Sequence, residues 1–370
     1  MSALFSLDLK MKRNLIYCFI LLLAENTYAT PHDVFLSAKN FLNKSEYPLN
    51  VTASIDAVND DIDLFDLRES EGITDSAAGD YQGINLNIKY KLDPQWQFQG
   101  EYWHREIDYS QDTNKIESGL FSIGYTPVAF SQKKSAVQFR ASLWGNKANH
   151  LSKSTPTLVN GQIIEKVNVN DPQDLQIQFD TIFSKKIDVM NQINFFGNIG
   201  YSEVKIDSLD IVRNFSNCPV NIHIEKNNSF EGHSAGFCDS QIHISGDANT
   251  FGLDIQKDLN YSSYYAGIGG SWNLRIQKFE SQLGYQYQRL WRQDIDDRVA
   301  NFGNNPIKDN HTLGLKINYD VHPNATVFLK GELYQNNFVG TIPFLYNGVT
   351  ASRLDKRYGL ASVGLTFHTF

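Results

Sequence analysis

At 370 residues the chain could hold one large all-β unit or two average domains. Its formal charge of −8 becomes −9 once the leader's net +1 (Lys10, Lys12 and Arg13 against Asp8 and Glu25) is subtracted. With no basic patch in the chain, that balance argues against a nucleic-acid partner.

Taken in chain order, the first element is an export signal over residues 1–29. Met11-Lys12-Arg13 gives a positive start, Leu15 to Ala24 an apolar core, and Thr27-Tyr28-Ala29 a small-x-small cleavage site. That core is shorter than the ~20 residues a spanning helix needs, and no later segment reaches that length either. A membrane-embedded chain would therefore have to cross as strands closed into a barrel. Residues 30–80 form a separate N-terminal segment. Leu49 to Ala57 reads as a first strand followed by an acidic outer loop, or the segment forms a short lumenal plug. Asp60, Asp61 and Asp63 do not match the spacing of a calcium loop and read as surface acids.

From residue 81 onward the pattern is period-two alternation, segment after segment. Ile84, Leu86, Ile88 and Tyr90 oppose Asn85, Asn87 and Lys89; Trp96, Phe98 and Tyr102 oppose Gln97, Gln99 and Glu101. The same alternation runs through 121–125, 137–143, 175–183, 193–201, 251–255, 264–272, 279–287, 313–319, 327–333 and 359–367. Such segments, broken by turn residues, are the signature of an antiparallel up-and-down transmembrane β-barrel with an apolar outside and a polar lumen. Trp96, Tyr90, Tyr125, Tyr201, Trp272, Tyr287, Trp291 and Tyr319 stand where interfacial girdles belong. Short connections at 91–94, 185–188 and 320–324 read as periplasmic turns. The stretches 147–172, 207–248, 292–309 and 337–355 read as polar extracellular loops. The strand count is 12 or 14, and parity fails near 250–290.

Cys218 and Cys238, the pair left after Cys18 departs with the leader, are expected to form a disulfide in the 207–248 loop. Metal binding through His223, His233 and His243 is the other reading of that loop.

The last strand, Gly359 to Phe370, ends on an aromatic residue and resembles the C-terminal signal of bacterial outer-membrane barrel proteins. One departure is visible: Phe370 shares a face with His368 and Thr366, while Phe367, Leu365 and Val363 share the other. The resemblance covers residues 81–370, makes Phe370 the assembly signal, and implies a location in the cell outer membrane. Implied partners are outer-membrane lipids, lipopolysaccharide and the barrel assembly machinery.

The inward faces define the candidate site. Lys89, Arg140, Lys316 and Lys330 offset Glu101, Asp180, Asp254, Glu280 and Glu332 in an amide-rich lining, so the lumen is expected to be hydrated. That favours a porin-like passive channel for small polar solutes, without cofactor, metal or catalytic residues. The alternative is a non-conducting surface barrel whose disulfide-bearing loop binds a partner. An outer-membrane hydrolase would need His104 and the Asp294, Asp296, Asp297 group to act as an acid/base pair, and no diagnostic motif supports that.

Overall fold

The computed structural model describes residues 33–42, 47–58, 78–109, 112–154, 157–159, 162–215, 218–234, 241–302, 305–347, 351 and 357–369. The leader, Cys18, Cys238, Phe370 and the Asp60, Asp61, Asp63 group lie outside them.

Strands follow the alternating segments. β1 (Leu49–Val58), β2 (Ala78–Lys91), β3 (Trp96–Tyr109), β4 (Asp112–Tyr125) and β5 (Ser135–Lys147) are antiparallel neighbours in one wall. The chain then leaves the wall for β6 (His150–Lys153), β7 (Thr157–Val159), β8 (Gln162–Ile164) and β9 (Lys166–Asn170). It returns as β10 (Gln173–Lys186) and β11 (Asn191–Lys205) before a second excursion through β12 (Ser208–Phe215), β13 (Cys218–Glu225), β14 (Ser229–Ser234) and β15 (His243–Asp247). β16 (Tyr261–Ile276), β17 (Phe279–Arg292), β18 (Asp309–His322), β19 (Ala325–Gln335) and β20 (Arg357–Thr369) complete the wall. The order β1-β2-β3-β4-β5-β10-β11-β16-β17-β18-β19-β20 closes on itself, with β20 pairing to β1 from Leu49↔Thr369 to Val58↔Leu360. The barrel therefore has twelve strands, and no sheet edge is left open in its wall.

The parity conflict resolves at two places. Leu49–Val58 is a full wall strand, so the barrel begins at residue 49. Residues 251–255 are not a strand: the single-turn helices Ala248–Phe251 and Ile255–Asp258 meet there. Asp247 and Asp254 cap their first amides, and Gly252 takes a left-handed φ of 76° between them. The apolar alternation of Leu253 and Ile255 instead packs under the second excursion.

That excursion joins the first in an outer sheet of order β15-β14-β13-β12-β9-β6. One face buries Ile206, Leu209, Val220, Ile222, Ile224 and Phe230 against Ala248, Ile255 and Leu259. The connections 148–172, 206–260, 293–308 and 336–356 all leave the same end of the barrel. Short turns at 92–95, 187–190, 277–278 and 323–324 occupy the opposite end, with the close of β20. In outer-membrane barrels the short-turn end is periplasmic and the long-loop end extracellular.

Candidate functional site: the barrel lumen

Outside and inside of the wall are inverted relative to a soluble protein. Ile84, Phe179, Ile199, Ile268, Leu329, Leu333 and Phe367 point outward and are exposed, while Gln178, Asn194, Gln176, Asp180 and Ser184 point inward and are buried. Aromatic pairs stand at both rims of this apolar belt: Trp96 with Tyr125 at 4.6 Å and Phe279 with Tyr319 at 4.7 Å below, Tyr201 with Tyr264 at 5.2 Å above. A continuous apolar belt around a closed barrel is stable only in hydrocarbon. The chain is an integral outer-membrane β-barrel. No family model and no curated protein matches it. Among solved structures, the translocator domain of the autotransporter NalP from Neisseria meningitidis is 9% identical with a TM-score of 0.47, over 89% of this chain and 91% of that one. The Pseudomonas putida toluene transporter TodX is 9% identical (TM-score 0.40, coverage 93% and 96%), and the NanC porin 8% (0.39, 87% and 100%).

Within the barrel lies a cavity of about 880 Å³ that reaches the periplasmic rim at Asp93, Pro94, Met190, Gln277 and Pro323. Its walls are polar. Lys89, Glu101, Arg140, Glu280, Lys316, Lys330 and Glu332 line it, and Trp103 and Tyr334 form its upper end. Glu101 accepts from Asn85 Nδ2 at 2.7 Å, Asn87 Nδ2 at 2.6 Å and Gln99 Nε2 at 3.1 Å. Glu280 accepts from Arg275 Nη1 at 3.1 Å and Gln282 Nε2 at 2.9 Å. Lys330 Nζ lies 2.8 Å from Glu332, which also accepts from Tyr334 Oη at 2.5 Å, and Lys316 Nζ sits 4.4 Å over the Phe328 ring. Arg140 Nε donates to Asp180 at 2.8 Å, a pair packed into the opposite wall, where Gln178 Nε2 gives Asp180 a second bond at 2.7 Å. Register explains the convergence: alternate residues of every wall strand point inward, and these side chains share that parity.

Asp254 does not belong to this set. It lies outside the wall, capping Ile255–Asp258, with Lys257 Nζ at 3.0 Å. Burial opposes its ionisation, but hydrogen bonds from Asn228 and Lys257 prevail and hold its pKa below the ordinary carboxylate value.

Two lumenal features are not foreseen from the alternation. The N-terminal segment 33–42 runs inside the barrel. Ala38 N donates to Ser184 Oγ at 2.8 Å, Phe41 N to Gln192 Oε1 at 2.8 Å, and Lys186 Nζ to the Phe41 carbonyl at 3.0 Å. Leu36 and Ala38 pack against Ala136, Ile182 and Phe196. Further up, Val34 fills the space beside Gly284 and Gly314, where an added Cβ would meet Val34 atoms at 2.5 and 2.7 Å.

The second feature closes the extracellular mouth. The loop after β19, read from sequence as polar, folds inward as the turns Phe338–Thr341 and Pro343–Leu345. Phe338, Val339, Ile342, Phe344, Leu345 and Tyr346 are buried against Ile107, Ile116, Tyr261, Ile295 and Tyr358. Polar ties fix this plug to the wall: Asn146 Nδ2 to the Thr341 carbonyl at 2.8 Å and Tyr261 Oη to the Pro343 carbonyl at 2.6 Å. Tyr346 Oη donates to Asp296 at 2.9 Å while the Arg292 guanidinium lies 3.7 Å over its ring. The sequence signal was present in the apolar run Phe338-Val339-Gly340-Thr341-Ile342-Pro343-Phe344-Leu345-Tyr346.

The hydrolase pairing does not assemble. His104 faces outward on β3, bonded to Glu117 at 2.6 Å and Glu106 at 3.2 Å, whereas Asp296 is buried inside the mouth. Among the described residues no group of three or more His, Cys, Asp or Glu is placed to hold a metal. His233 and His243 face each other across β14 and β15 with ring centroids 4.5 Å apart, and His223 lies on the same exposed face. Cys218 is disulfide-bonded.

Proposed function

We propose that this barrel is a porin-like passive pathway for small polar solutes, with the 338–346 plug as its outer gate. The observation that carries the reading is the 880 Å³ polar cavity open to the periplasmic rim. Ionised side chains in such a space need water or a polar solute beside them, and the volume suits a small molecule. The plug is a single loop held by its buried apolar side chains and a few hydrogen bonds, so it can be displaced without breaking the strand ladder of the wall, leaving the Leu120, Trp144, Tyr265 and Leu290 layer as the remaining constriction above the cavity. The belt would face lipid and, in the outer leaflet, lipopolysaccharide, after insertion by the barrel assembly machinery. Swelling of vesicles holding the refolded protein, with glucose as the osmolyte, tests this. Replacing 338–346 by a Gly/Ser linker is expected to speed swelling well beyond wild type, and an unchanged rate from a folded variant would count against it.

A second reading has its own observation. The outer sheet has an independent apolar core and presents Asp210, His223, Glu231 and His233 on its free face, as a partner-binding platform would. A Cys218–Cys238 bridge would brace that platform.

A further inference from the structure

We propose that Lys89, Lys316 and Lys330 form a recognition site for small polyhydroxy carboxylates, blocked in this conformation by the Asp33 carboxylate of the chain's own N-terminal segment. The inference deepens the pathway reading by naming the solute class.

Of the three lysines Lys330 has a wall carboxylate at bonding distance, Glu332 at 2.8 Å, with Asp56 of β1 also within electrostatic reach, whereas Lys89 and Lys316 have none at bonding distance among the described residues. Lys316 stands directly across from Lys330 on one side and Gln282 on the other, and like charges placed opposite each other destabilise a sheet. Lys89 faces Asn50 and Gln99. Of the nearby carboxylates, Glu101 accepts from three neutral amides and keeps its charge within reach of Lys89, Glu280 is held by Arg275 and Gln282, and Glu332 by Lys330 and Tyr334. A further carboxylate comes from outside the wall. Asp33 lines the same cavity as all three lysines, beside Val34 and Phe35, which pack on Gly314 two residues from Lys316, and one of its oxygens accepts from Phe35 N at 2.8 Å. Its position is set by the fit of Val34 and Phe35 against Gly284 and Gly314.

Asp33 thus acts as a tethered carboxylate in a three-ammonium site. A tether of a few residues gives such a group an effective concentration in the millimolar range, enough to compete with a free solute of the same chemistry. Around the lysines the lining supplies Gln97 and the side-chain carbonyls of Asn85, Asn87 and Gln99, whose NH2 groups serve Glu101, for hydroxyl groups, with the rings of Trp103 and Tyr334 beyond. That combination of cations, amides and ring faces suits a hydroxylated acid better than a bare ion.

The test is calorimetric titration of the folded barrel in detergent with glucuronate, using glucose as the neutral control. Asp33→Asn is expected to bind glucuronate about tenfold or more tighter than wild type, with glucose unchanged. Gly284→Ala, whose added Cβ would meet the Val34 backbone carbonyl at 2.5 Å and so force the segment to shift without altering any charge, should do the same, and adding Lys316→Gln to either should remove the gain. Glucuronate affinity equal to wild type in both single variants, or a gain shared by glucose, overturns the proposal. Vesicle swelling with glucose separates this from the pathway reading. Variants that pass glucose without binding glucuronate lose the recognition site and keep the pathway; glucuronate binding without glucose passage has the reverse meaning.

Discussion

Arg140 and Asp180 show what the lumen asks of single residues. The pair sits 2.8 Å apart with side chains 6% and 0% exposed, so neither charge has bulk water to fall back on. Arg140→Ala would leave Asp180 with the Gln178 amide and no cation at bonding distance. Breaking a buried pair in this way costs about 3–5 kcal/mol, far more than the intact pair contributes. A lower temperature for the heat-induced mobility shift of the folded barrel is the expected result, with Arg140→Lys recovering part of the loss. Residues such as these were legible from sequence because the strand pleat ties face to parity, and one face had to meet lipid. Asp33 was not, since a segment without periodic pattern carries no sign of what it lies against. Asp254 was misplaced for the converse reason: its apolar neighbours alternate but pack beneath a different sheet.

At the scale of elements, the wall strands were readable and the structured loops were not. Each strand has two solvents to distinguish, lipid and lumen, and that contrast prints a period of two on the sequence. The strands of the outer sheet are short, and only one of its faces is apolar, so β12 to β15 disappeared into a stretch read as loop. The plug was hidden because its apolar run lacks any period. The outer sheet also makes a pH-dependent contact. His223 Nδ1 lies 2.5 Å from Asp210 Oδ1 on the neighbouring strand, and this hydrogen bond raises the His223 pKa above its ordinary 6.5 against the opposing effect of burial. A raised folded value stabilises the sheet fully below the unfolded pKa and ceases to do so as pH rises through the folded one. Both side chains are 46% exposed, so solvent screening keeps the contribution small. The outer sheet should resist limited proteolysis better below about pH 6 than above about pH 8. Asp210→Asn should flatten that difference; an undiminished difference in the variant would assign the effect to another group.

The whole molecule is a barrel with one end open and one end shut. Its wall buries polar side chains inward and turns apolar ones to the bilayer, the N-terminal segment occupies part of the lower lumen, and the 338–346 plug seals the upper mouth. Residues 81–370 were recognisable as a barrel from sequence, and the wall proves to start at Leu49. Fold and location were legible because they are imposed by the bilayer on every strand, whereas the state of the lumen depends on two segments that the bilayer does not touch. The most direct measurement of the account is single-channel recording in planar bilayers on refolded wild type and on the variant with 338–346 replaced by a Gly/Ser linker. Wild type should stay mostly closed, with the variant giving discrete, long-lived steps. A correctly folded variant that remains silent would contradict a gated solute pathway.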